Sequence, residues 1–347
     1  MFRPAEAQNA TDLAQLLGGQ LAEGLSAFQL DGLAAPDQAQ SNQVAVLFDE
    51  RALPESGQCS AGLIVCAGNC KLPDELSKRC LRVSDPGQAF LILIEVFHPE
   101  ADHQPGLHPS AVIDQEARIG RQVTLGALSV VERQASIGDG SRIGSQATIG
   151  EGVQVGRACR IGPGVRLLKG TRLGDGVHIE AGTVIGARGF GYLPADATGY
   201  RQPIPQIGGV RIDDGAHIGA CCCVDRGTLS DTHIGAHVRI DNLVQVGHNC
   251  EIGAGAVLVA QVGVSGSVEI GQGALLAGQS GVADHRKIGA GATLTARAAA
   301  FRNVPAGEVW GGVPARPHRT WLRQQATLAR TARRETQAQG EEETDEK

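Results

Sequence analysis

From residue 113 onward an aliphatic side chain falls at every sixth position: Ile113, Ile119, Leu125, Val131, Ile137, Ile143, Ile149, Val155, Ile161, Leu167, Leu173, Ile179 and Ile185. The register resumes at Ile212, Ile218 and Val224, slips by four residues, and holds for eleven more anchors from Ile234 through Val246, Val264 and Val282 to Leu294. A period of six fits neither the 3.6-residue helix nor the alternation of one long strand. Glycine often follows the anchor, as at Ile137-Gly138 and Ile288-Gly289, and interrupts the pleat at regular intervals. The pattern predicts the side of a triangular coil. Each anchor fills a narrow interior, and neighbouring coils satisfy one another's backbone donors and acceptors by parallel pairing.

This periodicity resembles that of the hexapeptide-repeat proteins, whose left-handed parallel β-helix takes three hexapeptides per coil. The hand comes from the resemblance, because crossovers between parallel strands are otherwise right-handed. Eighteen residues per coil and 27 anchors imply about nine coils, a prism about 43 Å long.

Residues 1–105 lack the period. A short helix near Thr11 to Leu17, strands at Val44 to Phe48 and Gly62 to Ala67, and a helix from Pro86 to Phe97 are expected there, a small α/β domain. The β-helix domain spans residues 106–304, and residues 187–206 interrupt it with a loop carrying Gly189, Phe190, Gly191 and Tyr192. Prolines 305, 314 and 317 end the repeat. Residues 305–339 read as a C-terminal helical extension, with the helix from Trp321 to Gln337, and 340–347 as a disordered acidic tail. The fold class expected is mainly β.

Composition supports a repeat architecture: 48 glycines and 3% aromatics suit tightly turning backbone better than a core of large rings. Of the net charge of −6, residues 341–347 carry four, five acidic residues against one lysine, so the folded part is nearly neutral and offers no basic surface for nucleic acid. Nine cysteines, an odd number without zinc-ribbon spacing, fit reduced thiols used for packing. No secretory signal pattern opens the sequence and no apolar run reaches 18 residues, so a cytoplasmic protein without stable membrane insertion is expected.

Polar residues concentrate between Asp241 and Asn249. Adding eighteen to His248 gives Gly266, and adding thirty-six gives Asp284, with His285 one place beyond; these positions share one edge of the prism. His248 suits a general base, and the Gly266 N–H a donor to a developing oxyanion. By spacing alone a surface histidine explains the same residue. Asn242 and Gln245 suit hydrogen bonding within the coils. No metal site is expected: His233 and His237, four apart, are not aligned on a β-helix as they are on an α-helix.

Pro205-Gln206-Ile207-Gly208, Cys223-Val224-Asp225-Arg226-Gly227, Asp241-Asn242 with Gln245 and His248-Asn249, and the earlier Gly189-Phe190-Gly191-Tyr192 together resemble the UDP-3-O-(3-hydroxyacyl)glucosamine N-acyltransferases of lipid A biosynthesis. The resemblance covers about residues 108–317. It implies His248 as general base, Asp241 as the carboxylate orienting it, Gly266 as oxyanion donor and His285 as a second active-site histidine. Gly189, Phe190, Gly191, Tyr192, Asn242 and Gln245 would line the acceptor side. It further implies a homotrimer with sites between neighbouring prisms, UDP-3-O-acylglucosamine as acceptor, and the 4'-phosphopantetheine thioester of acyl carrier protein as donor, with no other cofactor. Arg302, Arg316 and Arg319 are candidates for meeting the acidic carrier. The N-terminal domain would hold the uridine, although Val46, Asp49 and Ala52 stand where the family uses an aromatic, an asparagine and a tyrosine; Phe48 is the nearest ring. Related O-acyltransferases, CoA-dependent sugar-nucleotide acetyltransferases and a non-catalytic β-helix scaffold are the rival readings.

Overall fold

The computed structural model describes residues 7–25, 28–49, 53, 59–99, 104–312 and 322–331. The chain forms two compact units, residues 1–104 and 105–347.

In the first unit a five-stranded sheet runs in the order Gln20–Leu21, Cys80–Val83, Leu63–Ala67, Gln43–Leu47, Gly32–Leu33, parallel except at the first pair. Two-residue alternation divides its side chains. Val44, Val46, Leu63 and Val65 pack into one core, and Ala45, Leu47, Ile64 and Cys66 into another on the opposite face. Helix Pro86–Phe97 is the one the sequence predicts: Asp85 caps the Gly87 and Gln88 N–H groups, proline takes the first turn, and Ala89, Leu93 and Phe97 form the buried stripe. Burial among the neighbouring thiols of Cys70 and Cys80 pushes the Cys66 thiol up to about 12, as expected of a packing residue. Phe48 is 55% exposed and meets Phe90 edge-on, so it is not core.

The second unit is a three-sided parallel β-helix, its faces built from 9, 11 and 10 strands. Each strand pairs with the one eighteen residues on, as in Arg118↔Ser136, Val130↔Thr148 and Gln245↔Gly263. The step lengthens to 39 where the loop leaves the prism (Val184↔Cys223) and to 22 at the four-residue slip (Cys223↔Gln245). The prism runs further than its aliphatic anchors do. Gly106–Leu107 precedes the first anchor, Ala299–Ala300 follows the last, and Val309–Trp310 extends the helix past residue 304.

Two interior positions per side fill the core: the anchor, and a small residue two places before it, because residues i and i+2 share a face. Cys159, Cys222 and Cys250 occupy that second position, and burial raises all three thiols, Cys250 to about 11. Glycine follows so many anchors because a Cβ there would strike the next coil, 2.4 Å from the Ser145 nitrogen in the case of Gly126. Residues 322–331 form a helix. No helix among the described residues is long and apolar enough to cross a membrane.

Candidate active site

His248, Gly266 and Asp284 stand two places beyond the anchors Val246, Val264 and Val282, which pair in direct register, so one edge carries all three as the eighteen-residue spacing predicts. An ideal Cβ on Gly266 would lie 2.7 Å from both Cε1 and Nε2 of His248. One on Gly189, in the projecting loop, would lie 2.7 Å from the histidine Cβ and 3.0 Å from Cδ2. The imidazole is thus flanked by two backbone segments that come as near as only glycine permits.

Asn249 sets its tautomer. The asparagine Oδ1 lies 3.1 Å from His248 Nδ1 and also accepts the Thr228 N–H at 2.9 Å. Its amide nitrogen donates to the Ser230 carbonyl at 3.3 Å and Oγ at 3.0 Å, which fixes which end of the amide is oxygen. An amide oxygen only accepts, so Nδ1 carries the proton and Nε2 keeps its lone pair beside Gly266. Asn249 occupies a corner with φ +58°, which glycine adopts at less cost than alanine. Asn249→Gly therefore deletes the bond to His248 without backbone strain, together with the bonds to Thr228 and Ser230. It is expected to lower kcat about tenfold, one hydrogen bond's worth, with the acceptor KM near wild type in steady-state kinetics.

The N–H two places beyond an anchor lies outside the parallel ladder. At several corners a side-chain oxygen caps it: Asp139 caps Arg121 at 2.8 Å, Asp175 caps Arg157 at 2.7 Å, and Asn242 caps Ala220 at 2.7 Å. The Gly266 N–H has no acceptor among the described residues. It borders an open cleft of about 1100 Å³ that His248 and His285 also line. The arrangement offers a proton acceptor and a hydrogen-bond donor side by side.

Of the other expected residues, Gly189, Phe190, Tyr192 and Gln245 line this cleft. Phe190 is 86% exposed and meets Tyr192 at 5.0 Å between centroids, while Arg188 lies over the tyrosine ring at 5.2 Å. Gly191 stands just behind, where a Cβ would come 2.8 Å from Gln206 Nε2. His285 is exposed, its N–H bonded to the Gly266 carbonyl at 3.1 Å.

Two expectations are not met within the chain. Asp241 does not meet His248: seven residues carry the backbone round to another edge, where its carboxylate accepts the N–H groups of Asn242 at 2.7 Å and Ala260 at 3.1 Å. Asn242 caps that same corner rather than lining the cleft. Two carboxylates line the cleft, exposed Asp284 on the predicted edge and buried Asp225, to which the sequence pattern assigns no role. Arg302 is exposed beside Phe301 at the cleft's end, whereas Arg316 and Arg319 lie outside the described residues. Among the described residues no group of three or more His, Cys, Asp or Glu side chains is placed to hold a metal ion. His233 instead contacts Asp213 at 2.7 Å and Glu251 at 2.9 Å.

Known proteins share this chain's pattern. The family described as bacterial transferase hexapeptide (six repeats) matches residues 116–151, 152–187 and 231–266, and the hexapeptide repeat of succinyl-transferase matches 134–169. The UDP-3-O-acylglucosamine N-acyltransferase of Syntrophotalea carbinolica is 48% identical over 317 residues, 91% of each chain. That of Parasynechococcus marenigrum is 46% identical over 314 residues, 88% of this chain and 90% of the relative. The chain belongs to the UDP-3-O-acylglucosamine N-acyltransferase family. A third member, from Methylacidiphilum infernorum, is 45% identical over 73% of this chain. Membership makes this UDP-3-O-acylglucosamine N-acyltransferase family protein an acyltransferase and excludes a purely structural scaffold.

Proposed function

We propose that this acyltransferase moves an acyl chain from the phosphopantetheine thioester of an acyl carrier protein to the 2-amine of a UDP-3-O-acylglucosamine, the N-acylation step of lipid A biosynthesis in the cytoplasm. The carrying observation is the meeting of His248 Nε2 and the Gly266 backbone in one cleft. His248 takes a proton from the amine, the nitrogen adds to the thioester carbonyl, and the oxyanion meets the Gly266 N–H. Collapse of the intermediate expels the carrier thiol and leaves an amide. No bound cofactor takes part. Phe190 and Tyr192 border the acceptor, His285 lies further along the edge, the N-terminal unit holds the uridine, and Arg302, Arg316 and Arg319 meet the carrier. Assembly as a homotrimer would close the open side of the cleft with a neighbouring prism. Mass spectrometry of the product from UDP-3-O-acylglucosamine and a panel of carrier thioesters tests the reaction, and absence of any N-acylated product overturns it.

The acyl chain has an outlet along the same face. From Gln245 the outward positions run Gly263, Gly281, Ala299 in direct register, about 14 Å of small side chains. A Cβ on Gly281 would meet nothing nearer than 3.9 Å, so a larger residue fits there without disturbing the coil. Wild-type enzyme is expected to favour long donors. Gly281→Leu should lower kcat/KM for the longest of them about tenfold in a chain-length series, through two or so methylenes denied their contacts.

A further inference from the structure

Asp225 is the only charged residue among the fully buried side chains described, 8% exposed. It ends the strand Cys223–Asp225 and pairs with Ala187, the residue from which the projecting loop leaves the prism. Its side chain lines the cleft together with His248. Its partners are weak and neutral: Gln245 Nε2 donates to Oδ2 at 3.1 Å, and the Cys223 thiol lies 3.7 Å from Oδ1. No ion pair involves it among the described residues. The adjacent Arg226 turns away, its guanidinium bonded to the carbonyls of Gly186 at 2.8 Å and Lys169 at 2.7 Å. The cleft's other guanidinium, on Arg188, is engaged with the Tyr192 ring and the Gly191 carbonyl.

A buried carboxylate is costly unless a cation joins it. The buried side chain's pKa is raised, chiefly by desolvation, with Gln245, Cys223 and the charge of His248 opposing. No Lys or Arg side chain pairs with this carboxylate among the described residues, and the reaction itself brings a cation into the cleft. A primary amine enters largely as ammonium near pH 7, whereas a sugar hydroxyl enters neutral.

We infer that Asp225 is the acceptor-selecting residue: it binds the incoming primary ammonium in the His248 cleft and thereby favours an amine over a hydroxyl. The inference rests on the acyl transfer proposed above. Asp225 holds R–NH3+ by a charge-assisted hydrogen bond, and His248 Nε2 removes one proton to give R–NH2 and imidazolium. The amine lone pair then forms the C–N bond as the thioester C–S bond breaks. The departing sulfur takes a proton to become the carrier thiol, and one proton is released overall. The bound ammonium, and then the imidazolium, supplies the positive charge that favours the ionised carboxylate.

The test uses Asp225→Asn in the full-length protein, with UDP-3-O-acylglucosamine and its analogue bearing a 2-hydroxyl. For the variant, kcat/KM with the amine should fall about a hundredfold, while competitive binding of the hydroxyl analogue changes by less than about threefold. The melting temperature should be no lower than wild type. A carboxyl whose folded pKa is raised costs stability at neutral pH, where the unfolded chain ionises more freely, and the amide removes that cost. Retention of wild-type kcat/KM with the amine, or an equal loss of hydroxyl-analogue binding, overturns the assignment. If the wild type fails to acylate the amine at all, the proposed reaction falls instead. Should the variant not fold, wild-type binding decides: the amine should bind at least about tenfold more tightly than the hydroxyl analogue, and equal affinity overturns the assignment.

Discussion

Replacing His248 with alanine should lower kcat by about a hundred- to ten-thousandfold, the range that a positioned general base supplies. The acceptor KM should change little, because the deleted imidazole acts on a proton that moves in the transition state rather than on ground-state binding. The expectation attaches to His248 and not to His285 for a geometric reason. Nδ1 of His248 is held by Asn249 at 3.1 Å, and Nε2 lies against the Gly266 backbone, whereas the side chain of exposed His285 has no partner among the described residues that would fix its tautomer. Steady-state kinetics on His248→Ala and His285→Ala, each checked for wild-type assembly, separates the two. Wild-type turnover in His248→Ala removes the base assignment; a larger loss in His285→Ala transfers it.

The anchors were legible because one interior position recurs every six residues without regard to what the outside does. The far end of the prism was not. Trp310 joins its sheet through a sixteen-residue step, Thr293↔Val309, that breaks the period. In the site, stacking by eighteens correctly joined His248 to Gly266, since nothing is inserted between them. Asp241 and Asn242 stand on another edge of the same prism from His248, because closeness in sequence is not closeness on a three-sided coil: one side and one residue further lies a different edge. The roles of Asp225 and Asn249, though both stand in the quoted motifs, were hidden by the four-residue slip. Residues 226–231 bulge from the prism there, and Thr228 and Ser230 reach Asn249 only through that excursion. A register slip beside a run of polar residues was the available signal.

Gly266→Ala should cost about a hundred- to a thousandfold in kcat, the loss seen when an oxyanion donor is removed. The N–H is still present in alanine, so the loss must come from geometry. The added Cβ would lie 2.7 Å from both Cε1 and Nε2 of His248, closer than real Cβ contacts allow, and the imidazole must move. It cannot move freely: the Gly189 backbone packs so closely that a Cβ there would come 2.7 Å from the histidine Cβ, and Asn249 holds Nδ1. Displacement of Nε2 therefore breaks either the tautomer bond or the approach to the amine, and the methyl group also crowds the place where the oxyanion would sit. The coil itself should survive. Gly266 has no positive-φ requirement and its N–H takes no part in the ladder, so the melting temperature of Gly266→Ala should stay close to that of wild type. Full activity in a folded Gly266→Ala would mean that neither the base nor the oxyanion lies where the cleft places them, and measuring kcat and melting together distinguishes that outcome from simple misfolding.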